Sequence, residues 1–124
     1  MPNLYTKYKR IWEAKENSLD TLYPYIKYMG IDMDDYGNIT VYNTAKTSIP
    51  AFCCHLDTVH RAKPNIQVVK DDILLSINDV GVGGDDKCGI VACLEMLESD
   101  VPCKAIFFRE EESGCRGSRA YDAK

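Results

Sequence analysis

Three short segments carry the residues that could do chemistry in this chain. They are Cys54-His55-Leu56-Asp57, Gly84-Asp85-Asp86-Lys87 and Glu110-Glu111-Glu112-Ser113. An imidazole together with several carboxylates is a donor set that binds zinc, manganese or cobalt in hydrolytic sites. A carboxylate can also bridge two ions, and a carboxylate that is not bound to metal can act as a base toward water. The three segments therefore predict a divalent-metal site with hydrolytic chemistry, if the fold brings them together.

The predicted elements place each segment at the end of a strand or the start of a helix. Residues 50–54 are an apolar run that predicts a strand buried on both faces, with His55 at its carboxyl end. Residues 103–108 predict a second apolar strand, which ends two residues before the acidic triplet. Asp86 is a predicted N-cap for a helix that runs to about Ser99. Because ligands collect outside the carboxyl ends of strands in open α/β sheets, we expect the segments to meet at one edge.

The remaining periodicity predicts two N-terminal helices and two hairpins within one domain. Apolar residues at helical spacing predict the helices within residues 4–12 and 19–26, with Pro24 kinking or shifting the second. Alternating β-rich runs around Gly- or Asp-containing turns predict antiparallel hairpins, at residues 31–42 and at residues 66–76 around Lys70-Asp71-Asp72. Internal repeats and linkers are absent from the 124 residues, so we expect a single domain.

Composition and charge exclude several classes of function. The chain is 45% hydrophobic and 27% charged, and no segment approaches the ~20 apolar residues of a membrane span. A net charge of -4 with scattered Lys and Arg argues against nucleic-acid binding. The N-terminus lacks the basic region and apolar run of a secretory signal, which predicts a cytoplasmic protein. Six cysteines without a C-x-x-C pair predict buried free thiols rather than disulfides or a thiolate zinc site.

Each segment taken alone also has an ordinary structural interpretation. A His-x-Asp pair is most often a surface or capping histidine, although the aspartate could orient the ring. Two aspartates at a helix start are most often a cap with a favourable charge, and a run of glutamates is usually solvated. These interpretations do not explain why all three segments lie at the ends of apolar strands or at the start of a helix.

In these segments the sequence resembles the co-catalytic zinc peptidase family that includes peptidase T, carboxypeptidase G, acetylornithine deacetylase and succinyl-diaminopimelate desuccinylase. The matching motifs keep the family's order and are His55-Leu56-Asp57-Thr58-Val59, Gly84-Asp85-Asp86-Lys87-Cys88-Gly89 and Glu111-Glu112-Ser113-Gly114-Cys115-Arg116-Gly117-Ser118. The resemblance covers nearly the whole chain and is most like peptidase T. It implies a three-layer α/β/α sandwich with a mixed sheet, and zinc-dependent hydrolysis of peptide or N-acyl amide bonds.

The resemblance also implies a role for each candidate residue. His55 would bind one metal ion, Asp85 would bridge two, and Glu112 would bind the second. Glu111 would be the general base and acid, and Asp57 would orient the site. The implied ions are two zinc ions, with cobalt or manganese as alternatives, and the implied substrate is a peptide or an N-acyl amino acid.

The sequence also departs from the family's pattern. Family members carry another metal-binding carboxylate after the double glutamate and a histidine near the C-terminus, with a lid domain inserted in many of them. Asp122 comes too early to match that carboxylate, and His60 lies on the loop after the first motif. We therefore expect residues 1–124 to be a partial catalytic domain, truncated on its C-terminal side and without a lid or dimerisation domain, which leaves a sheet edge exposed.

These departures leave two functions open. In the first, the chain is a metal-dependent hydrolase whose site is completed by a second chain or by self-association. In the second, which the missing ligands favour, it is a catalytically inactive remnant that acts as a binding or regulatory module. A third interpretation is a truncated product whose exposed sheet edge drives association without a defined function. The retention of His55, Asp85 and Glu111 favours the first function, because a chain freed from catalysis has no physical need for all three.

Overall fold

The computed structural model describes residues 3–60, 62–69, 73–78 and 80–121. In these residues the helices are α1 (Leu4–Lys7), α2 (Lys9–Glu13), α3 (Leu19–Ile26), α4 (Gly84–Glu98) and α5 (Arg116–Ala120), with a 3-10 turn at Glu111–Ser113. The strands are β1 (Gly30–Met33), β2 (Ile39–Tyr42), β3 (Ala51–His55), β4 (Ile66–Val69), β5 (Ile73–Ser76) and β6 (Lys104–Phe108). The predicted α/β class is confirmed. None of the described helices is long and apolar enough to cross a membrane.

The main sheet is mixed and has the strand order β1-β2-β6-β3. The β1-β2 and β2-β6 pairs are antiparallel, whereas β3 and β6 are parallel, with His55 opposite Phe108. Because β3 and β6 run in the same direction, their carboxyl ends lie at one edge of the sheet, as expected. Strands β4 and β5 form a separate antiparallel hairpin. The turn predicted for this hairpin, at 70–72, lies outside the described residues.

The N-terminal helices differ in part from the prediction. The first predicted helix is two short helices, because Tyr8 leaves helical geometry at φ -115° and ψ 34°. Tyr8 is buried, and its hydroxyl donates to Glu95 of α4 at 2.5 Å, so a tertiary contact fixes the break. Pro24 lies inside α3, which ends two residues later at Ile26.

Helix α4 covers one face of the main sheet and packs on β3 and β6. Ala105 and Phe107 are fully buried in the core on this face. Phe108 points to the opposite face, since side chains alternate along a strand, and there it meets the Tyr121 ring edge-on at 5.5 Å. The prediction that the third strand is buried on both faces is wrong for its first half. Ala51 and Cys53 are exposed, because β3 is an edge strand of the described sheet.

The cysteines are free, as predicted, but only half of them are buried. The buried thiols belong to Cys54, Cys93 and Cys103, whereas Cys53 and Cys88 are exposed and Cys115 is half-buried. The prediction of buried thiols is therefore wrong for the last three. Cys88 lies on a part of α4 that faces solvent, and Cys115 lies in the loop after the double glutamate, so neither is covered by the core.

A charged cluster joins α1 to α4. Lys7 Nζ lies 2.7 Å from Glu95 and 2.5 Å from Glu98, and the Tyr8 hydroxyl donates to Glu95. These hydrogen bonds from Lys7 and Tyr8 lower the pKa of Glu95. Burial, together with the negative charge of Glu95, raises the pKa of Tyr8, which stays protonated and donates.

The lowered pKa of Glu95 predicts a specific loss of stability in acid. A carboxylate with a folded pKa below its ordinary value of 4.5 stabilises the fold above that value, and this contribution is lost as pH falls through the folded pKa. We expect E95Q to be less stable than the wild type by about 0.5–1 kcal/mol at neutral pH, since the pair is partly exposed. Urea unfolding at neutral pH and at pH about 3 measures the difference. A difference that stays constant on acidification would refute this role of Glu95.

Candidate metal site

His55 lies at the carboxyl end of β3 with both ring nitrogens facing oxygen atoms. Its Nδ1 lies 2.9 Å from the backbone oxygen of Asp57 and 3.3 Å from the Asp57 carboxylate, so Nδ1 is a donor. Its Nε2 faces three carboxylates, at 2.9 Å for Asp85, 3.8 Å for Glu111 and 3.9 Å for Glu112. His55 is buried, at 9% exposure, so these contacts fix the orientation of its ring.

The Asp57 carboxylate joins the first motif to the third. Its Oδ1 accepts the Glu111 N–H and its Oδ2 accepts the Glu112 N–H, each at 3.0 Å. Both N–H groups belong to the start of a 3-10 turn that follows Glu110, whose φ of 55° is left-handed. A carboxylate that accepts two backbone N–H groups makes strong charge-assisted hydrogen bonds. Asp57 therefore orients the ring of His55 and holds the turn that carries the two glutamates.

The two adjacent aspartates at the start of α4 have different surroundings. Asp85 and Asp86 have non-helical dihedral angles and are joined by a cis peptide bond, so the regular helix begins after them. Asp86 accepts the Gly89 N–H at 3.1 Å, the contact of an N-cap as predicted, and the His55 N–H at 3.3 Å. The Asp85 side chain is 84% exposed and reaches His55. Asp86 fixes the local structure, and Asp85 presents its carboxylate to the site.

Lys87 follows the two aspartates directly, and its role as a buried supporting residue was not predicted from the sequence. It is 1% exposed, and its Nζ donates to the backbone oxygens of Trp12 at 2.8 Å, Ala14 at 2.5 Å and Val82 at 2.8 Å. Three ammonium protons thus meet three carbonyl groups. Burial lowers the pKa of Lys87 to about 8, which leaves it charged at neutral pH. A lysine next to two aspartates gives no sequence signal for burial, since lysine is almost always exposed.

Neighbouring carboxylates shift the pKa values of His55 and Glu112. The pKa of His55 is raised. Burial acts to lower it, but the hydrogen bond with Asp85 and the charges of the other carboxylates outweigh burial. Partial desolvation and the neighbouring Glu111 carboxylate raise the pKa of Glu112. The three carboxylates that face Nε2 surround the position where a metal ion would bind. One nitrogen donor among carboxylates is also a donor set that suits zinc, so the residues fit such an ion.

The candidate ligand group in the described residues consists of His55, Glu111 and Glu112, whose donor atoms lie within 4.8 Å of one another. Asp85 lies beside this group through its contact with His55 Nε2. The fold thus brings together all four residues that were predicted to face the metal or the water, with Asp57 behind them. It places Glu111 as near to His55 as Glu112, so the distances alone do not separate a base from a ligand.

Of the two further residues considered from the sequence, His60 is not part of this cluster. The His60 ring lies against Gly81, where a Cβ added to the glycine would be 2.8 Å from ring atoms. Its backbone N–H donates to the Thr58 hydroxyl at 3.3 Å. Asp122 lies outside the described residues.

Comparison with known proteins places the fold. No protein-family model and no curated protein matches the sequence. Solved structures do match: a tripeptidase from Staphylococcus aureus and the aminopeptidase PepT from Bacillus cereus each have a TM-score of 0.76, at 21% and 22% sequence identity. The aminoacylhistidine dipeptidase from Vibrio alginolyticus has a TM-score of 0.71 at 16% identity. These likenesses confirm, at the level of the fold, the resemblance predicted from the three motifs.

The match covers most of this chain but a minor part of the peptidases. It includes 97% of this chain and 39% of the tripeptidase and of the aminopeptidase, and 98% of this chain and 30% of the dipeptidase. The chain therefore corresponds to well under half of the length of each enzyme.

Proposed function

We propose that residues 1–124 are a single partial catalytic domain of a metal-dependent hydrolase that acts on peptide or N-acyl amide bonds. The observation that supports this most strongly is the convergence of three carboxylates on His55 Nε2, at the carboxyl ends of β3 and β6. Three solved structures that match this fold are a tripeptidase, an aminopeptidase and a dipeptidase, which supports a peptide as the substrate class.

In this proposal the ligands are His55, Asp85 and Glu112. Zinc bound there would polarise the scissile carbonyl and lower the pKa of water. His55 gives its Nε2 lone pair, because its Nδ1–H is held by Asp57. The Asp85 carboxylate is exposed and only its Oδ1 lies next to His55, so its two oxygens could be shared between two ions. Two zinc ions, with cobalt or manganese as alternatives, are therefore the proposed cofactors.

Glu111 is the proposed general base and acid. Its side chain is 42% exposed, which leaves it accessible to water and substrate, and its backbone N–H is fixed by Asp57. As the oxygen of water bonds to the carbonyl carbon, the Glu111 carboxylate takes the proton from water. As the bond from carbon to nitrogen breaks, Glu111 passes this proton to the leaving nitrogen. Asp57 acts here as a positioning residue, since it holds both His55 and the glutamate turn.

The residues described so far do not complete a two-ion site. His55 and Glu112 would each supply one ligand and Asp85 would supply a shared one, whereas a zinc site usually has at least three protein ligands. We propose that the remaining ligands come from outside residues 1–124, through a second chain or through self-association.

A peptidase assay on defined assemblies tests this function. The purified chain is loaded with zinc, separated by native mass, and each fraction is given tripeptides, dipeptides and N-acetyl amino acids. We expect amine release in a fraction that contains the completed site, and loss of this activity on chelation of the metal. Zinc binding without hydrolysis in every assembly would contradict the hydrolase and would favour a binding or regulatory module.

A further inference from the structure

Asn38, directly before β2, is buried at 1% exposure, and its side chain makes three hydrogen bonds. Its Oδ1 accepts the Arg109 N–H at 2.9 Å. Its Nδ2 donates to the Asp34 carboxylate and to the backbone oxygen of Gly117, each at 2.8 Å. Asp34 in turn accepts the backbone N–H groups of residues 36–38 at 2.9–3.0 Å, so the amide is held on a rigid turn.

These contacts join the two ends of the loop that carries both glutamates, residues 109–117, here called the glutamate loop. The joined ends, Arg109 and Gly117, are called its neck. Gly117 N–H donates to the Arg109 carbonyl at 2.9 Å, and the Asn38 amide bridges the same two residues from the side. The neck has no spare room, since a Cβ added to Gly117 would lie 2.1 Å from the Arg109 oxygen. Asp57 beneath its turn and Asn38 at its neck therefore both hold the glutamate loop.

We propose that Asn38 is a positioning residue for the metal site. This inference rests on the proposed function for its consequence, because the loop that Asn38 closes carries both Glu111 and Glu112. Opening the neck frees the loop to move away from His55 at one end while Asp57 still holds the turn. The ligand oxygens then spend less time at the distances from His55 Nε2 that allow an ion to bind.

The chain offers a matched control at the other end of the same strand. Asn43, directly after β2, accepts the Cys103 N–H on its Oδ1 at 2.9 Å. Its Nδ2 donates to the backbone oxygens of Leu97 at 3.1 Å and Val101 at 2.9 Å. Both asparagines thus bridge backbone groups at an end of β6, but Asn43 does so at the end away from the metal site. Substitution of either asparagine should lower the stability of the fold, whereas only substitution of Asn38 should loosen the glutamate loop at the metal site.

The experiment compares N38A with N43A in the 124-residue chain, at a temperature where both are folded. Hydrogen exchange of the Glu111 and Glu112 amides is measured first, without metal. Zinc and cobalt titrations follow, and the visible spectrum of bound cobalt reports the ligand geometry. We expect N38A to speed exchange at both glutamates and to weaken zinc binding by about tenfold relative to N43A, with an altered cobalt spectrum. N38S with N43S replaces the alanine pair if N38A does not fold.

The outcomes separate this inference from the proposed function. Equal amide exchange and equal metal affinity in the two variants, after correction for their unfolding free energies, overturns the positioning role of Asn38. A wild-type chain that binds neither zinc nor cobalt in any of its assemblies contradicts completion of the site by self-association instead, and the exchange of the Glu111 and Glu112 amides then decides the role of Asn38 alone.

Discussion

Replacing Glu111 with glutamine is expected to lower the rate of amide hydrolysis by about 10²–10⁴-fold while zinc remains bound. Glutamine keeps the size of the side chain, and its backbone N–H still donates to Asp57, but the amide cannot take a proton from water. The steady-state rate and the zinc content are measured on the assembly that hydrolyses the substrate. Turnover of E111Q equal to that of the wild type would remove Glu111 as the base.

The neighbouring Glu110 provides the matched control for this prediction. Its carboxylate accepts the Tyr36 hydroxyl at 2.7 Å, and its left-handed backbone turns it away from the two following glutamates. Glutamine can accept the same hydrogen bond, so E110Q should keep the wild-type rate. If E110Q lost as much activity as E111Q, the loss would report a disturbed loop rather than a missing base.

Replacing Asp57 with alanine is expected to weaken zinc binding by about 10–100-fold, because outer-shell partners of metal ligands have effects of this size. The substitution removes both acceptors of the Glu111 and Glu112 N–H groups and the carboxylate contact to His55 Nδ1. The affinity is measured by competition with a chelator of known zinc affinity. D35A, which changes an exposed aspartate of the β1-β2 turn, serves as the control. Equal affinities of D57A and D35A would show that the Asp57 contacts do not support the ligands.

The candidate site could be predicted because its residues lie directly after apolar runs. His55 follows the strand at 50–54, and the glutamates follow the strand at 103–108. The predicted strand ends and the motifs therefore indicated the same place for these residues. The orienting contact of Asp57 could not be derived in this way. It joins residues 54 and 55 positions apart in the chain, and it depends on the parallel register of β3 and β6.

The residues that support the site could not be predicted from the sequence, for a related reason. Lys87 is buried by carbonyl groups that include Trp12, 75 positions away, and Asn38 is buried by Arg109 and Gly117, 71 and 79 positions away. From the local sequence, Lys87 is expected to be an exposed charge and Asn38 is expected to be a turn residue. The break of the first helix at Tyr8 has the same origin, since its partner Glu95 belongs to α4. Partners that are distant in sequence decide burial in all three cases.

The central claim is that His55, Asp85, Glu111 and Glu112 form one metal site, and the zinc content of the purified chain tests it most directly. The chain is prepared under reducing conditions, dialysed against micromolar zinc and measured for zinc per chain, beside D85A and D35A. Near-stoichiometric zinc is expected in the wild type and in D35A, and loss of zinc is expected in D85A. A D85A variant that holds as much zinc as the wild type, in the monomeric and the self-associated fractions alike, would show that these residues do not form one metal site.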